Sequence, residues 1–153
     1  MVGEAIFRSS EDVMTEQLSG RCFCGKVAWC APGPVLWAGH CHCDSCRRAT
    51  SAPFTSFFGV ERRSITWTGE LAAVKTSNGE VVRKFCPGCG SQMTIECGRW
   101  PTEAHLYAAT LDVPTKFKPK AHFHYAEKLS WIEFADELPK YPGSADTTEP
   151  IVD

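Results

Sequence analysis

The residues best suited to chemistry in this chain are its nine cysteines. Seven fall into three short, spaced groups: Cys22-Phe23-Cys24-Gly25, Cys41-His42-Cys43 followed by Cys46, and Cys86-Pro87-Gly88-Cys89-Gly90. An odd total cannot pair completely within one chain, and disulfides are rare in a reducing compartment. Spacing of this kind is the pattern of metal ligation.

The first and last groups read as two halves of one site. Each brings two thiols together around a tight turn, and Gly88 and Gly90 let the backbone fold about a metal, with Pro87 restricting the chain as it enters. Together Cys22, Cys24, Cys86 and Cys89 supply four thiolates, the closed tetrahedral set of a structural zinc. Such a centre carries a formal charge of about −2, which the neighbouring Arg21, Lys26, Arg83 and Lys84 are expected to offset. The competing readings are four ordinary buried cysteines and a thioredoxin-like redox pair. The latter needs a βαβ context that the sequence does not show.

The middle group differs. Cys41 and Cys43 leave the same face of an extended segment, and Cys46 returns one turn later, so three sulfurs converge. Three protein ligands leave a fourth zinc position open, as a catalytic site requires. Three thiolates make the ion a poor activator of water, and soft sulfur favours another sulfur in the open position. The ligand set therefore points to a thiol substrate held as thiolate. Alternation along a strand turns His40 and His42 away from the cysteines. A second structural zinc, closed by Cys30, Cys97 or a histidine, stays open as an alternative. Cys30 and Cys97 otherwise read as small buried apolar residues.

The elements that must hold these groups are short. Strands are expected over Lys26 to Cys30, Phe54 to Val60, Ser64 to Thr68, Val81 to Phe85, Gln92 to Glu96 and Glu103 to Thr110, each bounded by turn formers. Ser77-Asn78-Gly79-Glu80 carries an Asn-Gly turn signal. Asp44 to Thr50 is the one helical candidate in the core. The pattern is that of a mainly β domain spanning residues 19–142, with an N-terminal extension over 1–18 and a flexible tail over 143–153. Residues 112–125, rich in Pro and Lys, read as a connecting arm.

Net charge is −2 with a pI near 6.2, which argues against nucleic acid as a partner and against a basic membrane-surface protein. No apolar run reaches the ~18 residues a membrane span needs. The N-terminus lacks the features of a secretory signal, so a cytoplasmic location is expected.

Gly20-x-Cys22-x-Cys24-Gly25-x-Val27, Cys41-His42-Cys43-x-x-Cys46-Arg47 and Phe85-Cys86-x-x-Cys89-Gly90-Ser91 resemble the glutathione-dependent formaldehyde-activating enzyme family, whose domain also occurs in centromere protein V. Pro119, His122, Lys128, Trp131 and Leu138-Pro139 extend the resemblance, which covers about residues 18–142. It implies an Mss4-like zinc-binding β fold with short helices and two Zn²⁺ sites, one structural (Cys22, Cys24, Cys86, Cys89) and one catalytic (Cys41, Cys43, Cys46). The activity implied is a carbon–sulfur lyase or synthase acting on a thiol–aldehyde adduct, joining formaldehyde to glutathione or reversing that step. The chain departs from the family pattern at His40, where Asn is frequent, at Ser51, where Gly is common, and at Leu129-Ser130, where Ala-Pro is usual.

Other residues have two readings each. Arg47 and Arg48 are candidates for a substrate carboxylate or for charge balance at the cysteines. Phe54, Phe57 and Phe58 would wall a pocket or fill the core. The five tryptophans are expected mostly in the core, and His122 and His124 would either supply a proton near the zinc or serve as surface or core-capping histidines. A non-catalytic zinc-stabilised binding module is the rival function. A methionine sulfoxide reductase-like activity is a third, and it would need a reactive cysteine from Cys30 or Cys97.

Overall fold

Alternating and continuous apolar runs, cut by turn residues, build two β-sheets among the described residues. The computed structural model describes residues 16–76 and 79–152. The expected extension therefore lies almost wholly outside the described residues, as does the Ser77-Asn78 half of the expected turn. Strands β1 (Leu18–Arg21), β2 (Ala28–Ala31) and β5 (Thr66–Thr68) form a three-stranded antiparallel sheet in the order β1-β2-β5. A seven-stranded sheet runs β10-β3-β4-β9-β8-β7-β6, using β3 (Trp37–Cys41), β4 (Thr55–Glu61), β6 (Ala72–Lys75), β7 (Val81–Phe85), β8 (Gln92–Cys97), β9 (Glu103–Tyr107) and β10 (His122–Phe123). All its pairings are antiparallel except β10 with β3. Among the described residues the single α-helix, α1, spans Asp44–Thr50.

The central strand β4, Thr-Ser-Phe-Phe-Gly-Val-Glu, is buried along most of its length, as a short continuous apolar run implies. Trp29, Leu18, Val27, Phe58, Val60, Met93 and Leu106 close the main core. Leu18, expected in the extension, is 2% exposed and belongs to β1. Of the tryptophans only Trp29 is fully buried, while Trp131 is 70% exposed, so the expectation of a tryptophan-filled core is corrected for the latter.

The expected strands recur with small shifts. Glu103–Tyr107 ends earlier than expected because Ala108–Thr110 turns into a 3₁₀ segment. The 112–125 arm contains both a 3₁₀ turn at Pro114–Lys116 and β10. Residues 143–152, expected as a flexible tail, hold backbone hydrogen bonds: Gly143 accepts from the His124 amide at 2.8 Å, and the Ile151 amide donates to Lys140 at 2.8 Å.

Candidate functional site

Two sulfur clusters stand out among the described residues: Cys22, Cys24, Cys86 and Cys89, and Cys41, Cys43 and Cys46. Within each, all ligand atoms lie within 4.8 Å of one another.

The four-cysteine cluster joins the two sheets. Cys22 and Cys24 sit in the turn between β1 and β2, and Cys86 and Cys89 in the turn between β7 and β8. Gly25 (φ 77) and Gly90 (φ 76) each take the left-handed conformation that ends a turn, where a side chain would be strained. Opposite Lys84 and Phe85 the register shifts by one residue, leaving Met93 extra on β8 just after the Cys86–Cys89 turn, the local kink a bulge supplies. The sulfurs of Cys22 and Cys24 are 3.6 Å apart, and those of Cys24 and Cys86 are 3.7 Å apart. A zinc–sulfur tetrahedron with bonds of about 2.3 Å has edges of about 3.8 Å, so the cluster matches the span such an ion needs. The Val27 amide points at the Cys22 sulfur at 3.3 Å, and Ser91 holds the Cys89 thiol down to about 5.

The three-cysteine cluster is built locally. Cys41 ends β3, Cys43 caps α1, and Cys46 lies on the first turn of α1. The Cys46 amide donates to the Cys43 sulfur at 3.3 Å, so a ligand also serves as helix cap. Glu127 accepts from the Asp44 amide at 3.1 Å and ties the helix start to the later chain. At the far end Ser51 adopts φ 53, ψ 33, a left-handed C-cap; this explains why glycine suits the position. Hydrogen bonds from Cys41 and Cys43, helped by the Arg83 guanidinium, pull the Cys46 thiol down to about 3. The same sharing, with burial, pushes Cys41 well above its ordinary value. A cation bound by the three sulfurs would displace the remaining thiol protons to solvent, as thiolate ligation requires.

Arg83 is the site residue that sequence reasoning misplaced. It was expected to offset the four-cysteine cluster, its neighbour in sequence. Instead Nη2 reaches Ser45 Oγ at 2.9 Å and Cys46 Sγ at 3.8 Å, and Nη1 donates to the Tyr107 hydroxyl at 3.2 Å. Strand alternation is the physical cause: Lys84, one residue on, pairs with Glu96 at 2.7 Å. Arg21 is likewise committed, to Asp112 at 3.4 Å. Burial pushes the Tyr107 hydroxyl up to about 12, so it remains a neutral donor. The alternating pattern of β7 was the one available signal for Arg83; Tyr107 had none.

Neither His40 nor His42 joins the cysteines. His40 Nδ1 meets Ser56 Oγ at 2.8 Å. His42, 1% exposed, meets His122 across 2.9 Å, and His122 Nε2 lies 3.1 Å from both oxygens of Asp136. Burial lowers His42 to about 4 and lowers His122 as well, while Asp136 is held below its ordinary carboxylate value. With Asp136 ionised, His122 Nε2–H donates to it and His122 Nδ1 accepts from His42 Nε2–H. Phe54, Phe134 and Tyr125 pack around these rings. His124 is separate and pairs with Glu127 at 3.5 Å.

Phe57 and Phe58 are core, and Phe57 packs on Tyr107 at 4.6 Å. Arg47 and Arg48 both reach Asp44, at 3.4 and 2.9 Å. They also line an open depression of about 290 Å³ with Ser51, Ala52, Pro53, Leu129 and Trp131. Lys128 holds the rim by donating to the carbonyls of Leu129 and Ile132. Cys97 is buried and Cys30 half-buried.

The glutathione-dependent formaldehyde-activating enzyme model matches residues 17–127. The chain belongs to that family. A protein of Halomonas elongata, provisionally named a glutathione-dependent formaldehyde-activating enzyme, is 29% identical over 129 residues, covering 76% of this chain and 80% of its own. The crystal structure of a Rhodobacter sphaeroides protein is similar in fold, with a TM-score of 0.52 and 22% identity over 61% of this chain and 87% of that one. The family match takes in all seven clustered cysteines and stops at Glu127, so the segment carrying Phe134 and Asp136 lies beyond it. No helix among the described residues is long and apolar enough to cross a membrane.

Proposed function

We propose that the chain is a carbon–sulfur lyase or synthase that joins a small-molecule thiol to an aldehyde, or separates them, at Cys41, Cys43 and Cys46. The observation that carries this reading is a three-sulfur set, with neither neighbouring histidine turned toward it, beside a guanidinium. Cys22, Cys24, Cys86 and Cys89 would hold a structural Zn²⁺, and Cys41, Cys43 and Cys46 a catalytic one. When bound there, the ion supplies an open position suited to sulfur. Membership of the family and the name of the Halomonas relative support glutathione as the thiol and formaldehyde as the aldehyde.

In the joining direction the thiol gives up its proton and its sulfur attacks the carbonyl carbon. A carbon–sulfur bond forms, the carbonyl π bond opens onto oxygen, and that oxygen takes up one proton. The product is an S-hydroxyalkyl adduct, and the reverse sequence breaks the same bond. Arg83 and the neutral Tyr107 hydroxyl provide positive charge and a donor beside the sulfurs, the kind of preorganised polarity that favours an oxyanion. The His42–His122–Asp136 chain fixes the backbone between two of the cysteines.

The test is exchange between formaldehyde hydrate and its glutathione adduct, followed by NMR with and without protein. Catalysis by the parent and its loss in Cys43→Ser, with fold retained, is the expected result. Exchange equal to the buffer rate in the parent would refute the reading.

A further inference from the structure

Arg83 is bound on several sides, and each contact bears on the three-cysteine site. Ser45 and Cys46 come from α1, and Tyr107 from the end of β9. Two nitrogens of the guanidinium are thereby used, and the planar fork is held in one orientation. Arg83 is half-buried, and its partners Tyr107 and Cys46 are 5% and 7% exposed, so on their side of the guanidinium solvent screens this charge less than at the surface.

Charge counting gives the contact a purpose. Three thiolates and a divalent cation sum to −1, and a fourth thiolate brings the centre to −2. Arg83 returns it to −1, whereas a neutral ligand in the fourth position needs no such offset. At the four-cysteine cluster the flanking Arg21 and Lys84 are paired with Asp112 and Glu96 instead, while Lys26 passes Gly88 beside the sulfurs. That cluster is closed and takes no further anion.

We infer that Arg83, oriented by Ser45 and Tyr107, sets the ligand preference of the three-cysteine site toward an anionic sulfur and against neutral donors. It is a positioning residue for charge and forms no bond to the reacting carbon. The inference rests on the reading of that site as thiol-binding.

The experiment uses full-length protein with cobalt in the three-cysteine site, whose visible bands report coordination. Glutathione, 2-mercaptoethanol and imidazole are titrated in turn into the parent, Arg83→Gln, Arg83→Lys and Tyr107→Phe. Losing a charge-assisted contact should weaken both thiols roughly ten- to a hundredfold in Arg83→Gln, with imidazole affinity unchanged. Arg83→Lys should recover part of the loss because the charge remains. If Arg83→Gln does not keep the metal, Tyr107→Phe carries the test: it unhooks one nitrogen, leaves the charge, and should shift thiol affinity alone by a smaller factor. Equal weakening of thiols and imidazole, or thiol affinity indifferent to every variant, overturns the inference. A parent that binds no thiol at all instead overturns the functional reading, so the two failures are distinct.

Discussion

Replacing Cys86 with Ser should unfold the protein, while Cys43→Ser should not, and the structure gives the reason for the contrast. Cys86 is 1% exposed, and its sulfur lies 3.7 Å from that of Cys24, which is 62 residues away in sequence. The four sulfurs meet only when the three-stranded and seven-stranded sheets are in place. Metal binding at that site would therefore be folding free energy, on the order of 10 kcal/mol. That is comparable to the roughly 5–15 kcal/mol by which domains of this size are stable. Cys41, Cys43 and Cys46 lie within a single run of chain. An unfolded chain can still offer those three sulfurs to a metal, and binding to the unfolded state reduces the stabilisation. Losing that site should cost no more than about 3 kcal/mol, the upper end for an ordinary substitution and less than the margin just quoted. The assay pairs metal content with urea melts. Cys86→Ser should lose the cooperative transition. Cys43→Ser should lose one metal equivalent and keep the transition. A cooperative melt of Cys86→Ser near that of the parent would refute the argument, as would global unfolding of Cys43→Ser.

Ser51→Gly should stabilise the protein by about 0.5–1 kcal/mol: relief of roughly 1–2 kcal/mol of left-handed strain, less the added freedom of glycine in the unfolded chain. A melt showing no gain would refute it. His122 is held below its ordinary value by burial against the opposing pull of Asp136, so its ring should stay neutral as pH falls through 6.5. The sign follows: the unfolded chain takes up that proton first, so this contribution to stability is complete above about 6.5 and declines below it. Imidazole NMR of His122 checks this, and protonation at or above pH 6.5 would refute it. Gly59→Ala should destabilise by about 1–3 kcal/mol through overpacking, because the added carbon would meet the Trp37 indole at 2.3 Å; an unchanged melting temperature would show that Trp37 yields freely.

The cysteine spacing carried most of what the structure brings together. The turn at Cys86-Pro87-Gly88-Cys89-Gly90 and the helix from Asp44 were legible because turn chemistry and capping act over a few residues. Strands β4 and β7 were legible because their apolar or β-branched runs are strong. Strands β1, β6 and β10 were not. Leu-Ser-Gly-Arg, Ala-Ala-Val-Lys and His-Phe have little strand character, and pairing defines them more than propensity does. Arg83 was assigned to the wrong cluster because nearness in sequence was taken for nearness in space, although strand alternation argued otherwise. The His42–His122–Asp136 chain joins positions 80 and 14 residues apart, and no local pattern announces such a chain.

The segment after Glu127 returns along β10, where the Tyr141 amide donates to the His122 carbonyl at 2.8 Å and Phe134 packs on the His122 ring at 4.6 Å. Every cysteine precedes residue 98, while the wall behind His42 is completed by residues from the last part of the chain. The sulfurs and the aromatic packing behind His42 are thus written in separable stretches of the gene. Exchange of the later stretch between relatives would change what packs behind His42, with the sulfur clusters and the sheets inherited intact.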